Sequence, residues 1–440
     1  MRIFDKKKKA ENTPYTFIKR RLLLVSILIA IIFVLLALRL SFLTIEKGDE
    51  YNRIVLSQRQ TSYNSVVIPS RRGDILDGEG NLLATSIKVY NLIIDPKVIL
   101  SYKDNRYVNA TIDALSFIYE YNKWELRELI EERKDAQYIR YARQLSKEEK
   151  EKFETYKASK NEEYKNLGVP DRINGIWFEE EYKRYYPNDS FASNVIGFVN
   201  NAGTAVMGLE QYYDKELSGQ SGRRYGYLGS DFELENVDRE SVDGYNIITT
   251  IDKRIQTICE EKISEWQNGE IGSLSASVIA MNPNNGEIYA MASSNSFNLN
   301  DPRDVSDLDE EYVDEVGIEN IWFGRWKNIC VQDTFEPGST AKVVTFASTV
   351  DENLVSDDAI FDCKGFIELD DGTHKWRIHC NNRNGHGVLT LMETLTNSCN
   401  MSMAEMAEML GVRSFTKYQK AFGFGEYTGI DLPNEADTSN

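Results

Sequence analysis

Seventeen consecutive residues, Leu22 to Leu38, contain one polar side chain, Ser26. No other feature restricts the chain so strongly. With Arg39 able to snorkel and apolar residues continuing to Ile45, the run is just long enough to cross a bilayer as a helix. It exceeds a typical signal-peptide core, and no small-x-small cleavage site follows it. Residues 1–21 carry eight basic and two acidic side chains, a net +6 in a chain whose total is −18. Positive charge stays on the cytoplasmic side. The sequence therefore predicts a cytoplasmic basic tail (1–21), an uncleaved single-pass anchor in the cell membrane (22–45) and everything from about Glu46 outside.

Residues 22–440 carry net −24, which argues against nucleic acid as a partner, because phosphate binding needs Lys and Arg to release counterions. Their length suits two or three domains. Five cysteines (Cys259, Cys330, Cys363, Cys380, Cys399) form no CxxC and no even framework. Cys363 and Cys380 are the one local pair that an oxidising exterior would join. The others read as small core residues. His374, His379, Cys380 and His386 lie close in sequence, but their spacing matches no common zinc site, so no metal and no cofactor is expected.

Val66 to Pro69 and Tyr90 to Asp95 read as β-type runs. Residues 121–165 are rich in Lys and Glu, with Trp124, Leu126, Leu129 and Ile130 at helical spacing, and predict solvated surface helices. After Asp243-Gly244 the texture changes. A strand is expected over Ile247–Ile251 and a helix over Ile255–Trp266. A hairpin follows, Ala276–Met281 against Glu287–Met291, its turn containing Asn285-Gly286. The main boundary falls near residue 243, separating 46–242 from 243–440.

The sharpest chemical segment is Phe335-Glu336-Pro337-Gly338-Ser339-Thr340-Ala341-Lys342. Pro-Gly breaks the preceding structure, and Val343, Val344 and Phe346 predict a buried helix. Ser339 then sits near a helix N-terminus, where unpaired N–H groups favour developing negative charge. Lys342, three residues on, shares its face. A desolvated lysine loses its proton and accepts that of the serine, activating a nucleophile without histidine. Ser414-Phe415-Thr416-Lys417 has the same spacing but reads as helix surface. Ser398-Cys399-Asn400 interrupts two helical runs and reads as a turn facing a cleft. Ser398 is placed to relay a proton, and Asn400 to hold Lys342 and a substrate amide. Ser293-Ser294-Asn295 and Ser296-Phe297-Asn298 match the pattern too, and read as turn chemistry.

In order along the chain, these segments resemble the class B penicillin-binding proteins. Arg72-Gly73-Asp74-Ile75-Leu76-Asp77 is similar to the family's first exterior motif. Arg184-Tyr185-Tyr186-Pro187 and Gly208-Leu209-Glu210 with Leu217-Ser218-Gly219 are similar to its pedestal motifs. Glu336 to Lys342 is close to its nucleophile motif, and Asn397-Ser398-Cys399-Asn400 and Phe422-Gly423-Phe424-Gly425 continue in family order. The style is nearest the division and sporulation members.

The resemblance implies an α+β multidomain fold: the transmembrane helix, an elongated α+β pedestal of dimerisation type (46–242), and a serine β-lactamase-like α/β transpeptidase domain (243–440). The family's Lys-Thr/Ser-Gly triplet does not occur here, so that domain is expected to lack its last core strands. The implied activity is D,D-transpeptidation of peptidoglycan stem peptides through a Ser339 acyl-enzyme, with Lys342, Ser398 and Asn400 as its other site residues. β-Lactams would acylate the same serine. Expected partners are a membrane-embedded glycosyltransferase of the shape, elongation, division and sporulation (SEDS) type and divisome proteins. The alternative is a catalytically incomplete scaffold of the division machinery.

Overall fold

The computed structural model describes residues 66–437 except Lys103, 229–233 and Asp371, together with 23, 25, 27, 29–36 and 39. Two compact units divide the chain: Met1–Ile68 with Gly222–Glu240, and Pro69–Ser221 with Ser241–Asn440.

In the first unit, residues 23, 25, 27, 29–36 and 39 are helical, and apolar side chains such as Ile32 and Phe33 are exposed. Much of the expected 22–45 anchor, and all of the 1–21 tail, lies outside the described residues. Among the described residues no helix is long and apolar enough to cross a membrane. Val66–Ile68 forms the expected β run and pairs antiparallel with Gly222–Leu228, which pairs in turn with Leu234–Arg239.

The second unit is organised around a thirteen-residue strand, Leu82–Ile94. It pairs antiparallel with Ile176–Tyr185 along most of its length. On its other edge it meets Ile75–Leu76 near its start and Ile139–Leu145 near its end. Its last six residues are all buried, because helices cover the sheet there. Val108–Tyr119 and Lys123–Glu132 supply Ile112, Leu115, Leu126 and Ile130 to that cluster, and Lys147–Asn166 supplies Phe153. Phe153 is the one buried side chain of a twenty-residue helix opened by a capping box between Ser146 and Glu149.

The expected run of surface helices over 121–165 is thus interrupted by a strand. Ile139–Leu145 (IRYARQL) buries only its two ends, and its Arg and Tyr side chains mask the β pattern. The segment expected as a strand over Ile247–Ile251 is extended only at Ile247–Ile248. It lies parallel to Ile75–Leu76. The helix runs Lys253–Gln267, with the Asp252 carboxylate accepting from the N–H groups of Arg254 and Ile255. The hairpin pairs Ser277–Met281 with Ile288–Ser293, and Gly286 supplies the positive φ that its turn needs. One apolar cluster draws on residues before and after position 243, among them Ile75, Tyr186, Leu209, Met291, Trp326 and Leu432.

Candidate active site

Ser339 lies in a single 3₁₀ turn, Gly338–Ala341, which runs directly into the helix Lys342–Asp351. Gly338 has φ +59°, a conformation that a Cβ would strain, and this bend delivers Ser339 to the helix start. The Ser339 side chain is exposed. The helix behind it is buried only in part through the residues the sequence suggested, since Val344 and Phe346 are half-buried. Val343 is exposed, whereas Thr345, Ser348 and Thr349 are buried. The burial of Ser348 and Thr349 is tolerated because their hydroxyls donate to the carbonyls four residues back, at 2.6 and 2.8 Å. Phe346 packs against Phe361, Leu391, Met403 and Met406.

Ser398 and Asn400 arrive from a tight helix-to-helix turn. Leu391–Thr396 is opened by a capping box between Thr390 and Glu393. The chain closes it with Ser398 N–H donating to the Leu395 carbonyl and Cys399 N–H to the Thr394 carbonyl, both at 2.9 Å. It then turns through Ser398, whose φ is +49°, and enters the helix Asn400–Ala421 with Cys399 as its N-cap. Backbone strain of this kind in a non-glycine residue concentrates at functional sites.

The structure brings the four sequence-predicted residues together. Lys342 Nζ donates to the Ser398 carbonyl (2.8 Å), to Ser398 Oγ (2.9 Å) and to Asn400 Oδ1. Ser398 Oγ donates to Ser339 Oγ at 3.1 Å. Asn400 Nδ2 donates to the His379 carbonyl at 2.8 Å, which orients its amide oxygen toward the lysine. Serine and lysine are therefore joined through Ser398 rather than directly. Burial holds the Lys342 ammonium below the ordinary lysine range, opposed by the nearby Cys380 and Cys399 sulfurs. Hydroxyl protons rotate freely, so the same contacts join Ser339 to Lys342 with either direction of donation between the two serines.

Other motif residues have structural work. Arg72 and Arg184 both donate to the buried Glu210 carboxylate, at 2.7 and 2.6 Å. Ser414 and Lys417 lie on the 400–421 helix, and Lys417 pairs with Glu352. Asn295 donates to the carbonyls of Gly324 and Lys327 and acts as a loop staple. Asn298 accepts from the N–H of Asn300, ordinary turn chemistry.

Sequence reasoning missed one grouping. Cys363, Cys380, His386 and Cys399 place one ligand-type atom each within 4.8 Å of one another. All five cysteines are free thiols, so the expected Cys363–Cys380 pair is not joined. His374 and His379 are not members. No short-range spacing announces this grouping, since its members come from four separate segments.

Two family models match the chain: the penicillin-binding protein dimerisation domain over residues 67–249 and the penicillin-binding protein transpeptidase domain over 276–439. The chain belongs to the class B penicillin-binding proteins. Stage V sporulation protein D of Bacillus subtilis is 30% identical over 95% of this chain and 59% of its own length. The peptidoglycan D,D-transpeptidase FtsI of Escherichia coli is 26% identical over 84% of this chain and 56% of that protein. The chain thus spans a little over half the length of these class B relatives. Among solved structures, penicillin-binding protein 2X of Streptococcus thermophilus shares the fold with a TM-score of 0.64 at 20% identity. That match covers 85% of this chain and 54% of the other. A complex between penicillin-binding protein 2 and MreC from Helicobacter pylori matches with a TM-score of 0.62 at 19% identity, covering 84% and 67%.

Proposed function

We propose that this protein is a serine D,D-transpeptidase that cross-links peptidoglycan stem peptides in cell division or sporulation. The observation that carries the reading is the continuous chain Ser339 Oγ, Ser398 Oγ, Lys342 Nζ at the start of a helix. Ser339 Oγ attacks the penultimate D-alanine carbonyl carbon. Its proton passes through Ser398 to neutral Lys342. The C–N bond then breaks, the departing D-alanine amine takes a proton back along the same path, and the acyl group stays on Ser339 as an ester. An amine of a neighbouring stem peptide attacks that ester and restores the serine. The N–H groups at the helix start favour the oxyanion.

The same reading takes 46–242 as pedestal and 243–440 as the transpeptidase portion. It takes 22–45 as a single-pass membrane anchor with the main domains outside, and a SEDS-type glycosyltransferase and divisome proteins as partners. The exposed apolar helix at residues 29–36 supports the anchor.

The test is labelling of the full chain in detergent with a fluorescent penicillin, beside Ser339→Ala, with circular dichroism on both. A stable label that disappears in the variant supports the reading. A folded, unlabelled protein overturns it in favour of a non-catalytic scaffold. Rapid turnover of the penicillin in place of a stable adduct overturns it in favour of a β-lactamase.

A further inference from the structure

We propose that a cavity beside Arg184–Tyr186 is a second, non-catalytic site that takes a carbohydrate, an N-acetylated amino sugar of the glycan strand. Its volume is about 370 Å³, at the lower end of the range for small-molecule sites. None of its lining residues lies beyond Arg303, so it is separate from Ser339, Lys342, Ser398 and Asn400.

Three stretches of chain form most of the wall: residues 181–186, the turn 198–203 and the loop 299–303. They are fastened to one another. Asn300 Nδ2 donates to the Tyr186 carbonyl at 2.9 Å, and the Tyr186 N–H donates back to Asn300 Oδ1 at 3.1 Å. The Val199 N–H donates to the Tyr186 hydroxyl at 2.9 Å. Within the turn, Asn200 Oδ1 accepts from the N–H groups of Ala202 and Thr204, at 2.9 and 3.0 Å. Trp326 and Trp322 hold the third stretch, each donating from Nε1, to the Pro302 and Arg303 carbonyls at 2.7 and 2.9 Å. A wall fixed in this way loses little freedom when a ligand binds.

The polar tips on this wall are uncommitted. Among the described residues, none hydrogen-bonds or ion-pairs with the side chains of Lys183, Asn201 or Asp301. The Arg303 guanidinium lies over the Trp322 ring at 5.1 Å and donates no hydrogen bond. Arg184 is also part of the wall. Its side chain is 4% exposed, and its Nη2 has no hydrogen-bond partner. Buried polar groups are normally paired, and a carbohydrate oxygen is an acceptor of the kind this donor lacks.

The wall's chemistry selects the ligand. Glu181 and Asp301 balance Lys183 and Arg303, and they repel a phosphate or another polyanion. Most lining side chains are polar, which disfavours a lipid tail. Gln144 and Asn201 each offer donors and an acceptor, and Tyr182 and Pro302 offer apolar faces. A sugar ring has this mixture, with hydroxyls and an acetamide at its edge and C–H groups on its faces. The choice of the peptidoglycan glycan rests on the proposed transpeptidase reading. The carbohydrate chemistry of the cavity does not. A glycan held away from Ser339 stays near the enzyme between acylations, which raises the effective concentration of its stem peptides.

The experiment is calorimetric titration of the full chain, in a detergent without a sugar headgroup, with peptide-free N-acetylglucosaminyl-N-acetylmuramic acid. A stem pentapeptide ending in D-Ala-D-Ala is titrated in parallel. Saturable binding of the disaccharide is expected. Lys183→Ala, Asn201→Ala and Arg303→Ala should each weaken it by about fivefold or more. Ser339→Ala and Lys417→Ala should leave it unchanged. Lys183 and Asn201 are exposed, so these two variants decide if Arg303→Ala does not fold. No saturable binding up to about 10 mM, well beyond a millimolar dissociation constant, overturns the proposal. So does binding that all three variants leave unchanged. Binding of the pentapeptide alone, lost in the same variants, overturns it in favour of a peptide site. The penicillin label is scored separately, and Ser339→Ala retains the cavity, so a failure of either reading is recognisable by itself.

Discussion

Glu210→Ala should be among the most destabilising single substitutions in the dimerisation-domain match, residues 67–249. Glu210 is fully buried and receives Arg72 Nε at 2.7 Å and Arg184 Nε at 2.6 Å, with the Tyr186 hydroxyl at 3.3 Å. The two arginines differ in what remains without it. Arg72 keeps Asp214 Oδ1 (2.6 Å), Ser218 Oγ (2.7 Å) and the Glu210 backbone carbonyl (2.8 Å). Arg184 keeps only the Gly73 carbonyl (2.7 Å) and Ser86 Oγ (3.2 Å), and its Nη2 already lacks a hydrogen-bond partner. Its side chain is 4% exposed, so water cannot substitute. Stranding a buried charge costs about 3–5 kcal/mol, against a total stability of roughly 5–15 kcal/mol for a typical domain. Urea unfolding of the full chain in detergent, followed by tryptophan fluorescence, measures this. Trp326 belongs to the same apolar cluster as Tyr186 and reports on it. Glu210→Leu combined with Arg184→Met should be less destabilised than Glu210→Ala, because no unpaired charge is left. A loss below about 1 kcal/mol in Glu210→Ala, the range of an exposed ion pair, would refute the reasoning.

Ser398→Ala removes the one oxygen linking Ser339 to Lys342, so penicillin acylation should slow by about 10²–10⁴-fold with the melting temperature nearly unchanged. A loss under tenfold would exclude the relay. Burial raises the Glu260 carboxyl above the ordinary glutamate range, despite hydrogen bonds from Gln256 and the Ala192 N–H. The native state therefore holds its proton longer than the unfolded chain, and this contribution to stability is lost as pH rises through that raised value. Glu260→Gln should flatten the decline in melting temperature, and an unchanged pH slope would contradict the assignment. Gly244→Ala would put a Cβ 1.7 Å from the Leu217 carbonyl oxygen and should cost about 1–3 kcal/mol or more. Gly324→Ala, in a helix with open space around it, should be neutral or slightly stabilising. Equal effects in the two would show that backbone contact is not the cause.

The catalytic candidates were legible because their chemistry is local. Pro337-Gly338 marks the break, Lys342 follows Ser339 by less than one turn, and Ser398 to Asn400 interrupts two helical periods. What stayed hidden depends on partners distant in sequence. The Ile139–Leu145 strand carries arginines and a tyrosine because only its ends are buried. Thr345, Ser348 and Thr349 are buried on the 342–351 helix, which packs on the 400–421 helix, and the hydroxyls of Ser348 and Thr349 serve there because they bond back to the helix. The cysteine and histidine grouping has no spacing signature, since its members meet only after strands and helix have packed. Arg72, Arg184 and Glu210 were recognisable as motif residues. That they constitute a single buried ion cluster was not, because the three segments are far apart in the chain.

The backbone weave around Gly73 and Gly244 has a consequence for how the chain is made. Gly73 N–H donates to the Leu217 carbonyl, Gly244 N–H to that of Arg71, and Thr249 N–H to that of Leu76, each at 2.9 Å. Asp74 meets Asn246 across 172 residues of sequence. In a chain emerging N-terminus first, Ile75–Leu76 has no parallel neighbour until Ile247–Ile248 has been synthesised. At roughly 5–20 residues per second, that wait is on the order of 10–30 s. Throughout it, one edge of the sheet is open to pairing with other chains, so the rate of synthesis sets how long a nascent molecule is exposed to misassembly.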